Sequence, residues 1–451
     1  MGKRNTLLGG AGAAQLLHGV EILYMVGIGG VGMSSLAYLA REAGFEVLGE
    51  DAADSATVRS LCAAGISVTG QYGGLPSGRV AVVYSAAIAE THPVFLSGAP
   101  MLSRSDLLAY FMRPAAQRIT VAGIHGKSTV TAMLDHIFTK AGRSPTTVSG
   151  ATLGNGETYR IGSGDAFIAE ACEYTDSFLS LDPTVAIALN LEHDHPDYFP
   201  TLADLERSFG AYLARASRAV IIPSRSALLA SLSGKRVPVL RFGGEELDCD
   251  EVRVTEDGYT FRLLDVGVPS VRVTLPLIGR HMIENALAAL LAARACGISY
   301  ADGAAALADF KAPRRRLERR RCEGGVTWYD DYAHHPSEIR ASLSALREHT
   351  RGRLLCVFQS HTYTRTRAFL NEFADALALA DRVLVLPIYA ARERDELGVS
   401  AELLAERIGE RATAAPSFGA AAAELSSLAN SGDTVVVMGA GDVDKIFEYL
   451  S

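Results

Sequence analysis

The stretch with the most definite chemistry is Gly123-Ile124-His125-Gly126-Lys127-Ser128-Thr129. It joins the apolar run ITVA to an amphipathic segment, as a shortened phosphate-binding loop does. In such a loop backbone N–H groups cradle phosphates, Lys127 reaches the β/γ-phosphates and the Ser128 hydroxyl suits Mg2+. A second glycine-rich loop, Gly27-Ile28-Gly29-Gly30-Val31-Gly32, follows the apolar run ILYMV. Its glycines permit a tight turn and close approach of backbone to a phosphate at a helix N-terminus. Asp51, after the next strand, stands where an acid would meet a ribose. Alone, this loop suggests an NAD enzyme; the alternative is tight strand–helix packing with no ligand. Two phosphate loops in separate domains do not suit a simple dehydrogenase. They fit an enzyme that binds one nucleotide as substrate and another as fuel.

Acids and imidazoles gather where strands end. Glu170 closes the strand AFIA, the place of an acid that holds Mg2+. The run Asn190-Leu191-Glu192-His193-Asp194-His195-Pro196-Asp197 follows VAIAL. Alone it reads as a polar loop. Behind a parallel strand, in the domain of the phosphate loop, it reads as a metal site. Asp330-Asp331-Tyr332-Ala333-His334-His335-Pro336 and Gln359-Ser360-His361-Thr362-Tyr363-Thr364-Arg365-Thr366-Arg367 each follow a predicted strand. α/β folds place ligand residues there, and these supply His and Arg suited to a carboxylate.

The elements that position these residues are legible from periodicity. Strands are predicted at 22–26, 45–49, 80–84 and 100–102, with helices over 33–41 and 106–112; Arg113-Pro114 marks a boundary. A second unit opens at Ile119. Apolar positions 130, 133, 134, 137, 138 and 141 form one helical face, and Gly142 stops it. Strands at 166–169 and 185–189, short antiparallel strands over 252–276 and a helix over 283–296 complete it. The third unit starts near Arg314, with strands at 326–329, 354–358, 382–386 and 434–438. The run RRRLERRR at 314–321 reads as a charged interdomain segment.

The chain has 451 residues, 48% of them hydrophobic, and a net charge of −8, which argues against a surface built to hold nucleic acid or anionic lipid. Six scattered cysteines form neither a disulfide framework nor a zinc motif. No apolar run is long enough for a membrane span. Lys3 and Arg4 before Leu7–Leu17 faintly echo a signal peptide, but the stretch leads straight into a strand; a cytoplasmic protein is expected.

Taken together, GIGGVGM, GIHGKST, EACEYTDSF, NLEHDHPDY, GRHMIENALAA, DDYAHHPSE, HTYTRTR and GAGDVDKI resemble the Mur ligase family in content and order, over about residues 22–450. The resemblance implies a three-domain α/β fold: an N-terminal Rossmann-like domain (1–113) for a UDP-sugar, a central P-loop mononucleotide-binding domain (114–312) for ATP, and a C-terminal Rossmann-like domain (313–451) for an amino acid. It implies Gly27, Gly29, Gly30, Val31, Gly32, Asp51 and Ser85 on the UDP-sugar. ATP falls to Gly123, His125, Gly126, Lys127, Ser128, Thr129, His281, Asn285 and Asp331. Mg2+ or Mn2+ falls to Ser128, Glu170 and His195, and catalysis to Lys127, Glu170, His195, His334 and Arg365.

Within the family, His125 in the phosphate loop and the absence of any Lys between 141 and 234 resemble the early ligases, because the later ones carry Asn and a carbamylated lysine there. The HTYTRT segment favours the member that adds L-alanine to UDP-N-acetylmuramate through an acyl phosphate over the member that recycles a tripeptide. No nucleic-acid or membrane partner is expected, and the state is a monomer or weak homo-oligomer. Ile124, Met282, Thr362 and Gln71 stand where the family usually has Thr, Asn, Arg and His. A nicotinamide-dependent oxidoreductase accounts only for the first loop. A ligase-derived regulator would not need Lys127, Glu170 and His195.

Overall fold

The computed structural model describes residues 7–450 apart from 197, 235, 245, 392 and 396, so the expectations on Lys3, Arg4 and Asp197 lie outside the described residues. Its strands form three sheets. The first holds β1 (Ile22–Val26), β2 (Glu46–Glu50), β3 (Ser67–Thr69), β4 (Val80–Tyr84) and β5 (Met101–Ser103), all parallel, in the order β3-β2-β1-β4-β5. This is the strand order of half a dinucleotide fold with its reversal beside β1, where the glycine loop emerges.

The second sheet holds β6 (Gln117–Ala122), β7 (Thr146–Val148), β8 (Tyr159–Arg160), β9 (Ala166–Glu170), β10 (Val185–Ala188), β11 (Ala219–Pro223), β12 (Val239–Phe242), β13 (Leu247–Val254), β14 (Tyr259–Asp265) and β15 (Val268–Leu275). The order is β15-β14-β13-β12-β11-β10-β6-β9-β7-β8, parallel at its centre and antiparallel from β13 to β15. The third sheet holds β16 (Glu318–Glu323), β17 (Val326–Asp331), β18 (Leu354–His361), β19 (Arg382–Tyr389), β20 (Ala412–Ala414) and β21 (Thr434–Met438), in the order β16-β17-β21-β18-β19-β20. Central strands are buried along their length, which is why they read as unbroken apolar runs.

Several boundaries moved. The helix expected from Met33 begins at Val31, the one expected from Asp106 begins at Arg104, and the strand expected at 45–49 is shifted by one residue. Ser103 and Asp106 form a capping box, which sets the earlier start. The Gly- and Ala-rich stretch after Leu7 is a helix, Gly9–Leu16, seated on Arg104–Met112. A side chain at Gly10 would meet Ala109 O at 2.7 Å, so its small residues serve close packing. The arginine run is divided: Arg314, Arg315 and Arg316 line a cleft, whereas Glu318–Glu323 is the edge strand β16.

One apolar core is shared by the first two sheets. Met25, Ile28 and Leu36 belong to the same cluster as Phe167, Phe178 and Phe209. Polar ties add to it: Ser35 Oγ lies 2.8 Å from Thr158 Oγ1, Tyr38 stacks on Tyr159 at 4.8 Å, and Asp106 accepts from Leu8 N, Gly9 N and Ser180 Oγ. The third sheet has its own cores on its two faces, and among the described residues only the half-buried Ile278 reaches them from the second.

Candidate active site

The phosphate loop turns on Gly126, whose φ of 83° is open to glycine at little cost; a Cβ there would also meet Asn285 Oδ1 at 2.8 Å. Asn190 holds the loop from behind, accepting from His125 N at 2.8 Å and donating to His125 O at 3.0 Å. Lys127 is curled onto its own loop. Its Nζ donates to Gly123 O at 2.5 Å and to both oxygens of Glu173 at 3.1 Å. His195 Nε2 lies 3.4 Å from the same carboxylate. Burial would raise the Glu173 pKa, but Lys127 and His195 outweigh it, and the group is held below its ordinary value.

Glu173 was not among the predicted site residues. The expected acid, Glu170, is also in place, lining the same cleft and accepting from Ser149 Oγ at 3.0 Å and Gly150 N at 2.5 Å. Two carboxylates, the Ser128 hydroxyl and the His195 imidazole thus line one cleft. Oxygen-rich donors of this kind fit a hard divalent cation such as Mg2+. His195 has a φ of 53° and its ring lies 4.8 Å from that of Tyr174.

This cleft, about 400 Å3, is lined from all three sheets. Val31 comes from the first, Lys127, Ser128, Glu170, Glu173 and His195 from the second, and Arg316, Tyr332 and His334 from the third. Arg316 is a second residue missed in the sequence: its guanidinium lies over the Tyr332 ring and reaches Ser128 Oγ at 3.5 Å. Arg315 beside it is tied inward to Gly439 O and Gly441 O.

Two cavities flank the cleft. One, about 290 Å3, holds His125, Gly126, Thr129, His281, Asn285 and Asp331, together with Met282. Asn285 Nδ2 points at Met282 Sδ, 3.7 Å away, and Asp331 is buried, accepting from Ser342 Oγ. The other, about 410 Å3, is lined by His195, His334, His361, Thr362, Arg365 and Glu393. Arg365 is buried and its Nη2 donates to Asp194 at 2.9 and 3.2 Å, while its Nε is buried without a hydrogen-bond partner among the described residues. His334 Nδ1 lies 3.0 Å from Tyr332 O, and burial pushes the imidazole pKa down to about 4, so it is neutral at pH 7. A further cavity of about 680 Å3 lies beyond Met282 and contains none of the expected residues.

The first-sheet residues form a neighbouring cluster, of which, among the described residues, only Val31 reaches the cleft. Asp51 closes the glycine loop on itself, its Oδ2 accepting from Gly29 N at 2.9 Å and its Oδ1 from Ala53 N at 3.0 Å. Ser85 lies beside Gly27, and Arg104 lies over Gly32, where a Cβ would meet its side chain at 3.2 Å.

Three family models match the chain: the Mur ligase family catalytic domain over 22–115, the Mur ligase middle domain over 121–293 and the Mur ligase glutamate ligase domain over 315–441. The UDP-N-acetylmuramate–L-alanine ligase of Lachnospira eligens is 37% identical, with 95% of this chain and 97% of that protein covered. The chain belongs to the Mur ligase family. The Mycolicibacterium smegmatis protein of the same name is 38% identical over 95% of this chain and 94% of its own. Among solved Mur ligase structures, the UDP-N-acetylmuramate–alanine ligase of Thermotoga maritima has a TM-score of 0.79 at 22% identity, covering 95% of this chain and 97% of its own. A murein peptide ligase from Psychrobacter arcticus has a TM-score of 0.70 at 24% identity, covering 95% and 98%. These two structures share the three-domain Mur ligase fold.

Proposed function

We propose that this chain joins L-alanine to the lactyl carboxylate of UDP-N-acetylmuramate, driven by ATP, in peptidoglycan precursor synthesis. The observation that carries this reading is the convergence on one cleft of the phosphate-loop Lys127, the first-sheet Val31 and the third-sheet Arg316 and His334. We assign the three sheets to domains at 1–113, 114–312 and 313–451, binding the UDP-sugar, ATP and the amino acid in that order. The protein acts in the cytoplasm as a monomer or weak homo-oligomer; no helix among the described residues is long and apolar enough to cross a membrane.

A carboxylate is a poor electrophile, so the lactyl carboxylate oxygen first takes the γ-phosphoryl group, releasing ADP. The alanine amine then attacks the acyl carbon, the C–N bond forms and phosphate leaves. Lys127 swings from Glu173 to the phosphates and, with Arg316, balances charge on the transferring group. Ser128, Glu170, Glu173 and His195 would hold Mg2+ or Mn2+, which supplies charge neutralisation at phosphate oxygens when bound. His125, Gly123, Gly126 and Thr129 shape the loop; His281, Asn285 and Asp331 hold the nucleoside. Gly27, Gly29, Gly30, Val31, Gly32, Asp51 and Ser85 frame the UDP-sugar. His334, neutral at pH 7, helps place the alanine amine for attack, and the Arg365 guanidinium, which lines the same cavity, pairs with the alanine carboxylate.

Phosphate release with UDP-N-acetylmuramate, ATP and each of alanine, glycine, serine and the muropeptide tripeptide tests the reading. Alanine is expected to be used best. Preferential use of the tripeptide would move the chain to the recycling branch, and NADH-linked absorbance change without phosphate release would overturn a ligase altogether.

A further inference from the structure

A second group of metal-type ligands stands outside the oxygen-rich cleft. His125 from the phosphate loop, Glu192 from the segment after β10 and His335 from the start of the third-domain helix Pro336–His349 bring one ligand atom each to within 4.8 Å of one another. His125 Nε2 lies 3.5 Å and His335 Nδ1 4.0 Å from Glu192 Oε2. Ser337 Oγ sits between the two imidazoles, 2.7 Å from His125 Nε2 and 2.7 Å from His335 Nδ1. Both rings therefore turn a nitrogen toward the Ser337 hydroxyl, beside the Glu192 carboxylate. We propose that the space between these three side chains, with the Ser337 hydroxyl rotated aside, is a binding site for a borderline transition-metal ion of the Zn2+ type, ligated by His125, Glu192 and His335, with water in the fourth position.

Three features favour such an ion over Mg2+. Two of the three donors are imidazole nitrogens, which suit Zn2+, Co2+ and Ni2+, whereas Mg2+ demands oxygen. Three protein ligands and one open position are the pattern of an accessible zinc site. The other nitrogen of His125 is 3.1 Å from Glu338 Oε1, and a carboxylate behind a ligating imidazole orients the ring and raises its basicity; the ion displaces the proton from His125 Nε2, so binding releases a proton and strengthens as pH rises. Glu192, at 46% side-chain exposure, leaves an entry path from solvent. The ion would draw the donors together to about 2.0–2.2 Å from itself, a contraction small enough for side-chain movement alone. Occupied, the site pins the phosphate loop to the third domain beside the cavity of Asn285 and Asp331, so the ion competes with ATP.

The test uses the whole enzyme in millimolar Mg2+, titrated with Co2+ and then with Zn2+. One equivalent of Co2+ should give the strong visible ligand-field bands of a low-coordinate nitrogen site, and one equivalent of Zn2+ should erase them. His335→Ala and Glu192→Ala should each weaken Co2+ binding at least tenfold, and Glu338→Gln by about tenfold. Glu192 is on the surface, so its variant keeps the fold, and circular dichroism verifies this for all. His195→Ala, in the neighbouring cleft, should leave the bands unchanged. Bands that survive both His335→Ala and Glu192→Ala, bands lost in His195→Ala, or no tight Co2+ binding at all would overturn the proposal.

Discussion

Replacing Glu173 by Gln separates a structural carboxylate from a working one. Glu173 is buried against Lys127 Nζ at 3.1 Å. At that distance, and an effective dielectric of about 20, the pair attracts by about 5 kcal/mol before desolvation is counted. Removing one partner of a buried pair costs about 3–5 kcal/mol, and the amide keeps one acceptor for Lys127, so about 3 kcal/mol is expected. For a unit of about 200 residues this lowers the unfolding midpoint by roughly 6–12 °C. If Glu173 also serves the phosphoryl transfer, turnover falls about a hundredfold or more and the Mg2+ concentration for half-maximal rate rises. The assay is scanning calorimetry of the free enzyme beside phosphate release over a Mg2+ series, with Glu170→Gln in parallel. A Glu173→Gln enzyme with near-normal turnover and unaltered Mg2+ dependence would refute the functional role, even with the stability loss.

Arg365→Ala should raise the KM for alanine strongly and the KM for ATP and UDP-sugar much less, because Arg365 lines the cavity of His334 and His361 and touches the phosphate-loop cleft only through Asp194; unchanged alanine kinetics would remove it from the site. Met282→Asn should lower the KM for ATP by giving Asn285 and the base an amide partner; a higher KM would mean the pocket is rebuilt around the thioether. Burial pushes His334 and His281 down to about 4, so below about pH 6.5 the unfolded chain binds protons that the folded one refuses, and stability falls as pH drops toward 4. His125 works in the opposite window. Burial would lower it, but Glu192 and Glu338 hold it at about 9, so its contribution is fully present below about 6.5 and lost as pH rises through 9. Urea midpoints should peak between these windows, and a flat profile from pH 4 to 9.5 would refute both assignments.

The strands Val80–Tyr84 and Thr434–Met438 were legible to the residue, because a strand buried on both faces leaves an uninterrupted apolar run. The phosphate loop was legible because its glycines and lysine have few other uses at a strand-to-helix turn. Glu173 was not. A strand-end rule selects Glu170, and only the turn through Ala171 and Cys172 carries the next acid round to Lys127. Arg316 was hidden in a run of like charges, and its value lies in Ser128, which is 188 residues earlier in the chain. The Arg365–Asp194 pair spans 171 residues, and no local pattern announces it. Each miss is a contact between segments far apart in the chain, two of them across domains, the kind of information that periodicity does not hold.

The contrast between the dry joint of the first two sheets and the ionic seam to the third bears on how such a chain diversifies. The seam is made of pairs such as Arg365–Asp194, His125–Glu338 and Arg280–Glu348, all of which water can satisfy when parted. A cut between residues 308 and 317 would therefore release a third module with little apolar surface, whereas a cut between 113 and 117 would strand two halves of one core. The third module can be exchanged or drift in sequence with modest penalty to the rest. The first two units can change only in concert, since Met25 and Phe178 belong to one shared cluster.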